Sequence, residues 1–224
     1  MPLALSIGHT TQIGKRERNE DFGGAVTPAE GELAARGALL AMADGVSGSG
    51  AGRVAAENAV RALLADYYAT PETWEVHHAI DRVLSAINSW LLAQGRAGHH
   101  GASLATTLSA LVVRGNRYYL AHVGDTRIYL LRGNTLTQLT QDHVWDRPEM
   151  QHVLKRAVGL DEHLIVDYGD GELQRGDQFL LCSDGVWEPL GDRRLKGILQ
   201  ACENPQDAAN TLVAAALNSG GGDN

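Results

Sequence analysis

Residues 104–139 hold four short apolar runs with tight turns between them. The runs cover residues 108–113, 117–123, 127–131 and 136–139. Arg-Gly-Asn turns at Gly115-Asn116 and Gly133-Asn134 supply the positive φ that two-residue hairpins need. Strands joined this closely can only pair antiparallel, so the stretch is predicted to form a β-meander. Residues 39–43 read as one more buried strand and residues 3–7 as a first strand. Between these and the meander the period changes. Ala56, Ala59, Val60, Leu63 and Leu64 mark one helical face, and Val76, Ile80, Val83, Leu84, Ile87 and Leu91 mark a second, longer one. The histidine-containing stretch 95–101 reads as a loop. After the meander come a short helix over 149–158 and a hairpin of 165–173 with 178–182, turning at residues 175–177. A last helix begins at Asn204, with Pro205 in its first turn and Ala209, Leu212, Val213, Ala216 and Leu217 on its apolar face. Strands, two helices, many strands and then helices is the order of antiparallel sheet covered by helices, an α+β fold rather than an alternating βαβ one.

The length of 224 residues suits one domain with a sizeable core. A net charge of −8 with no basic stripe leaves nothing to neutralise a phosphate backbone, which excludes a nucleic-acid partner. With only Cys182 and Cys202, a disulfide framework is not expected. A reducing compartment, read here as the cytoplasm, fits. Neither a leader-like N-terminus nor a run of ~20 apolar residues is visible, so no membrane contact is expected from this segment.

Three apolar runs end at an aspartate beside a glycine: Asp44-Gly45, Gly124-Asp125 and Asp184-Gly185. A fourth aspartate stands in Gly220-Gly221-Gly222-Asp223-Asn224. A carboxylate at the end of a buried strand is rigidly placed, and an adjacent glycine would let an ion or substrate approach the backbone. Several such ends together would form an all-oxygen site suited to Mg²⁺ or Mn²⁺. Taken singly, each is no more than a strand-end turn, and Asp223 no more than a frayed end. The loop from Asp44 to Gly52 is glycine-rich before a helix but lacks the Lys-Ser/Thr ending of a P-loop. Upstream, the segment from Arg16 through Asn19, Glu20 and Asp21 pairs an arginine fork, whose geometry matches phosphate, with two carboxylates. Alone it reads as a charged surface loop.

In order along the chain these segments are Arg-x-x-Asn-Glu-Asp, Ala-Asp-Gly, Ala105-Thr106-Thr107, Val-Gly-Asp-Thr-Arg, Cys-Ser-Asp-Gly and Gly-Gly-Asp-Asn. The set resembles the metal-dependent protein phosphatases of type 2C, the PPM family, from Ile7 to Asn224. The resemblance implies a four-layer α/β/β/α sandwich of two antiparallel sheets flanked by helices. It implies hydrolysis of phosphoserine and phosphothreonine in proteins, with two Mn²⁺ or Mg²⁺ per domain and a weaker third. By the same resemblance Asp44 bridges the two metals and the Gly45 carbonyl binds one. Asp184 and Asp223 hold the other, Glu20 and Asp21 form the acidic pair near the second metal, and Asp125 serves the third. Arg16 grips the substrate phosphate. Attack by an activated water needs no covalent intermediate, so Cys182 and Ser183 read as core or supporting residues. The implied partners are a phosphorylated protein and a cognate Ser/Thr kinase, which in some bacterial chains follows such a domain in the same polypeptide. The alternative is a regulatory pseudophosphatase that binds phosphoprotein without turning it over. The complete set of Arg16, Asp44, Asp184 and Asp223 argues against that.

Three features depart from the family pattern. Val46, Ser47, Gly48 and Ser49 stand where relatives carry Met or His and then Gly-Gly-His, so a water must protonate the leaving alkoxide. The flap is short, with residues 144–151 between Asp142-His143 and His152. Trp145, Arg147 and Glu149 line it, or Trp145 caps the core, while His143 and His152 read as surface residues. Residues 1–224 read as a single phosphatase domain that stops where the family continues into a last apolar strand, as if cut from a longer chain.

Overall fold

The computed structural model describes residues 4–46, 51–97, 104–146, 148–150 and 153–224. In chain order the elements are β1 (Asp21–Val26), α1 (Glu30–Arg36), β2 (Ala38–Asp44), α2 (Gly52–Ala69), α3 (Val76–Ala97), β3 (Leu108–Arg114) and β4 (Arg117–Val123). They continue with β5 (Arg127–Arg132), β6 (Thr135–Gln138), β7 (Asp167–Glu172), β8 (Gln178–Cys182), α4 (Asp184–Ala201) and α5 (Pro205–Asn218). A five-stranded sheet has the order β1-β2-β3-β4-β7 and a three-stranded sheet the order β6-β5-β8. Every pairing is antiparallel.

Three apolar cores separate four layers. Ala56, Ala59, Val60 and Leu63 of α2 and Ile80, Leu84, Ile87 and Leu91 of α3 pack on the five-stranded sheet through Leu39, Ala41, Ala110 and Val112. Alternate residues of the same strands, Leu111, Val113, Tyr118 and Leu120, meet Ile128 and Leu130 between the sheets. On the far side Tyr129 and Leu131 pack against Leu195 and Leu199 of α4 and Leu212 of α5. The period-2 alternation of β3, β4 and β5 thus serves two cores at once. The α/β/β/α sandwich implied by the resemblance is what the chain forms.

Several local expectations are corrected. The meander is not one sheet: it breaks at residues 124–126, where Gly124 (φ +114°) sends the chain from β4 to β5 in the other sheet. The two runs after it do not form a hairpin either, since β7 pairs with β4 and β8 with β5. Among residues 4–13 there is no strand. A strand needs a partner, and this segment lines a groove of about 720 Å³ whose opposite wall is the edge strand β8, with α5 beside it. The short helix over 149–158 is a single 3₁₀ turn, Pro148–Met150, followed by isolated bridges at Leu154 and Val158. Gly95 to Ala97 continue α3, while residues 98–101 lie outside the described residues. The sequence reading missed β1, α1 and α4. At α5, Asn204 accepts the Gln206 N–H as an N-cap should, but the buried stripe is Ala208, Leu212 and Ala216, with Leu217 exposed.

Candidate active site

Antiparallel pairing gathers alternate strand ends at one edge of the sandwich. Asp21 opens β1 directly across from Asp44, which closes β2. Leu108 opens β3 across from Val123, so Thr107 and Gly124-Asp125 lie at the same edge. Cys182 closes β8 across from Arg127, which opens β5, and Asp184 follows as the first residue of α4. The strand ends therefore bring Asp21, Asp44, Asp125 and Asp184 to one end of the sandwich, Asp125 in the turn just after β4 and Asp184 two residues after β8. Asp223 joins them through Arg16, with which it forms an ion pair.

Hydrogen bonds fix the backbone under these carboxylates. The Asp44 N–H donates to Thr107 Oγ1 at 2.8 Å, and the Asp44 carbonyl accepts from Thr106 Oγ1 and from the Thr107 N–H, both at 2.8 Å. This is the role of Ala105-Thr106-Thr107, a segment the sequence flagged without a task. The Gly45 N–H donates to the Glu20 carbonyl at 3.1 Å. Ser183 Oγ donates to Asp21 Oδ2 at 2.6 Å, as a supporting residue should. Asn224 is a residue that sequence reasoning left without a role. Its Oδ1 accepts the Glu20 N–H at 2.8 Å, and its Nδ2 donates to the carbonyls of Ile13 at 2.8 Å and Arg18 at 3.1 Å. The signal for it was its place beside Asp223 in a glycine-rich run.

The glycines beside the aspartates do a different job from the one expected. A Cβ at Gly45 would lie 2.2 Å from the Gly52 backbone, one at Gly124 would lie 2.5 Å from Thr107 Cβ, and one at Gly185 would lie 1.9 Å from the Asn224 carbonyl oxygen. Each admits another part of the chain, and that close approach packs the strand ends together.

Electrostatics marks the edge as a site. Burial, then the nearby charges of Asp184 and Asp223, push the Asp21 carboxyl up to about 7. Asp125 is raised to about 7 by burial and by Asp184, and Asp184 to about 6 by burial and Asp223. Burial and the charge of Asp21 hold Asp44 well above the ordinary carboxylate range. Asp223 raises the Arg16 guanidinium. Asp21 Oδ1 and Asp184 Oδ1 are buried with no hydrogen-bond partner. Buried, mutually repelling carboxylates with orphaned oxygens suit a hard divalent cation, which would supply both the missing charge and the missing partner. Among the described residues no three His, Cys, Asp or Glu side chains are already disposed as a ligand set. Glu20 in particular turns toward the Gly45–Gly52 contact, its Oε1 3.0 Å from a Cβ built at Gly52.

Each residue of the Val-Gly-Asp-Thr-Arg turn has a partner. The Trp187 indole donates to the Asp125 carbonyl at 3.1 Å, and Ser109 Oγ donates to the Thr126 carbonyl at 3.1 Å. Arg127 forks onto Asp142, with Nε at 3.0 Å and Nη2 at 2.6 Å, and stacks over the Trp187 ring. His143, expected at the surface, is buried. Trp145 is 43% exposed and so does not cap the core; Lys155 stands over its ring. Cys182 is a buried free thiol, and burial raises it far above the ordinary thiol range. Ser47 to Gly50, Arg147 and His152 lie outside the described residues.

The sequence profile described as Protein phosphatase 2C matches residues 10–219. The chain belongs to the protein phosphatase 2C family. It is 32% identical over 204 residues to the serine/threonine protein phosphatase PstP of Mycobacterium tuberculosis, covering 83% of this chain and 38% of that one. The chain thus spans well under half the length of that relative. The serine/threonine phosphatase stp of Listeria welshimeri is 30% identical over 228 residues, covering 93% of this chain and 88% of its own. Among solved structures, M. tuberculosis PstP/Ppp superposes with a TM-score of 0.80 at 32% identity, covering 95% of this chain and 92% of that chain. The S. agalactiae serine/threonine phosphatase superposes with a TM-score of 0.86 at 25% identity, covering 97% and 95%. Among the described residues no helix is long and apolar enough to cross a membrane.

Proposed function

We propose that residues 1–224 form a single protein phosphatase domain that hydrolyses phosphoserine and phosphothreonine with the help of two Mn²⁺ or Mg²⁺ ions. The observation that carries this is the convergence of Asp21, Asp44, Asp125 and Asp184, with raised carboxyls and two orphaned oxygens, on one sheet edge beside the Arg16–Asp223 ion pair. Asp44 and the Gly45 carbonyl, together with Asp184 and Asp223, would hold the ions. Glu20 and Asp21 would serve the second, and Asp125 a weaker third. When bound, the ions would neutralise phosphoryl charge and lower the pKa of a water for in-line attack.

The chain's own residues do the rest. Arg16 is half exposed and paired with Asp223, and its guanidinium fork would offer donors to phosphate oxygens. Thr106 and Thr107 lock the Asp44 backbone, so its carboxylate needs no reorganisation during the reaction. Ser183 is committed to Asp21 and the Cys182 thiol is buried, so neither is a ready nucleophile; attack falls to water, and water also protonates the leaving alkoxide. The reading extends to a phosphorylated protein as substrate, a cognate Ser/Thr kinase as partner and a cytoplasmic setting.

The test is release of phosphate from a phosphothreonine peptide and from an aryl phosphate, with Mn²⁺ and with EDTA. The reading expects turnover only with the cation. Equal rates in both conditions would refute it, and cation-dependent thermal stabilisation without turnover would favour a phosphoprotein-binding domain.

A further inference from the structure

His143 follows β6 and Asp142, and sequence alone gives it no task. In the structure it grips one residue from both sides. Its backbone N–H donates to the Gly124 carbonyl at 2.7 Å, and its ring Nδ1 accepts the Gly124 N–H at 3.1 Å. Only glycine fits here: the φ of +114° is one that L side chains rarely adopt, and a Cβ would strike Thr107. The next residue is Asp125.

The ring is itself held. Because Nδ1 accepts from Gly124, the proton sits on Nε2 and is donated to Asp167 Oδ2 at 3.0 Å. Arg156 braces the other oxygen of that carboxylate at 2.9 Å. The ring also packs against His122, with centroids 4.8 Å apart. Burial first, then the neighbouring His143, lower His122 to about 4, so it stays neutral, bonded to Ser109 Oγ at 2.9 Å and the Gln141 carbonyl at 3.0 Å. On the opposite side the His143 carbonyl accepts the Lys155 N–H at 2.7 Å, and two residues on, the Trp145 N–H donates to the Val153 carbonyl at 3.3 Å. The short flap is therefore rooted on the same residue that grips Gly124.

We infer that His143 is a positioning residue: it ties the base of the flap, Val144-Trp145 and Val153 to Lys155, to the Gly124-Asp125 turn, so that this base and Asp125 are held in one place. The inference rests on the reading of Asp125 as part of the active site. Its geometric content is independent of that reading, because the clamp on the Gly124 N–H can be measured directly. Backbone contacts from Lys155 and to Gly124 survive any substitution at 143; what a substitution removes is the ring acceptor and the link to Asp167.

Two variants separate positioning from bulk stability. His143→Ala removes the acceptor for the Gly124 N–H and the bond to Asp167. His143→Asn removes only the second, since an amide oxygen takes the place of Nδ1. Amide hydrogen exchange at Gly124 is expected to be slow in the wild type and in His143→Asn and at least about tenfold faster in His143→Ala. With a phosphothreonine peptide and Mn²⁺, kcat of His143→Ala is expected to fall by about tenfold or more with KM for the peptide within about twofold, and His143→Asn to recover most of it. Equal exchange at Gly124 in all three proteins overturns the inference, as does an equal loss of kcat in the two variants when only His143→Ala exchanges faster at Gly124. A wild type inactive toward every phosphopeptide would defeat the phosphatase reading instead, and Gly124 exchange would still decide the clamp.

Discussion

Replacing Asp21 by Asn should make the metal-free protein more stable at alkaline pH, although it removes a residue of the proposed active site. Asp21 is buried, its Oδ2 accepts from Ser183 and its Oδ1 has no partner. Holding that carboxyl at about 7 rather than 3.8 corresponds to about 4 kcal/mol against its ionised form at pH 8. An amide oxygen can still accept from Ser183, but the new NH₂ needs acceptors and costs about 1–3 kcal/mol if it finds few. The net gain expected in EDTA at pH 8 is about 2 kcal/mol, or a Tm rise of about 4–8 °C for a domain of this size. The sign follows from proton counting. Between pH 3.8 and about 7 the unfolded aspartate has lost a proton that the folded one keeps, so the wild type loses stability as pH rises through that window. At pH 5 only about 2 kcal/mol of the penalty has accrued, and the amide cost cancels it. Differential scanning fluorimetry in EDTA at pH 5 and pH 8 reads both numbers. A lower Tm for Asp21→Asn at pH 8, or an equal gain at both pH values, would refute the electrostatic account of this edge.

Three further outcomes follow from named contacts. Thr107→Val leaves the buried Asp44 N–H without its acceptor and should cost about 1–3 kcal/mol in urea unfolding, while raising the Mn²⁺ concentration for half-maximal activity; unchanged values of both would show that Thr107 does not hold Asp44. Gly185→Ala forces a Cβ to within 1.9 Å of the Asn224 carbonyl oxygen and should destabilise by about 1–3 kcal/mol, whereas Gly197→Ala, on the exposed side of α4 with open space around it, should gain about 0.5–1 kcal/mol. The reverse order would contradict the packing described. Arg16→Ala should lower kcat/KM for a phosphothreonine peptide by about 10–100-fold with little change in Tm, because the side chain is half exposed; a kcat/KM equal to wild type would remove it from phosphate binding.

The sequence exposed Asp44, Asp125 and Asp184 because each stands at the end of a continuous apolar run, and it exposed the two long helices because Ala56 to Leu64 and Val76 to Leu91 keep a 3.6-residue period. Sheet membership was hidden in the same runs. Residues of β3, β4 and β5 are buried on both faces, so no polar alternation shows where one sheet ends and the other begins. The switch depends on Gly124 passing over Thr107, a contact between distant residues. β1 escaped notice because Gly23 and Gly24 are poor strand formers; Gly24 is there because a Cβ would meet Leu64 of α2 at 2.8 Å. α4 was obscured by Pro189 and by Gly191, where its φ of +64° breaks the helical period. Residues 4–7 carry a convincing strand pattern, but pattern does not supply a pairing partner. His143 follows Gln141 and Asp142 in sequence, and the residues that cover its ring, His122 of β4 and Asp167 of β7 among them, are distant in the chain.

The most direct measurement is anomalous diffraction at the manganese edge from crystals of the domain grown with Mn²⁺. The account expects two peaks about 4 Å apart, both within bonding distance of Asp44, one shared with Asp184 and Asp223, and loss of at least one peak in Asp44→Asn. No peak at this sheet edge, or peaks bound without Asp44, would contradict it.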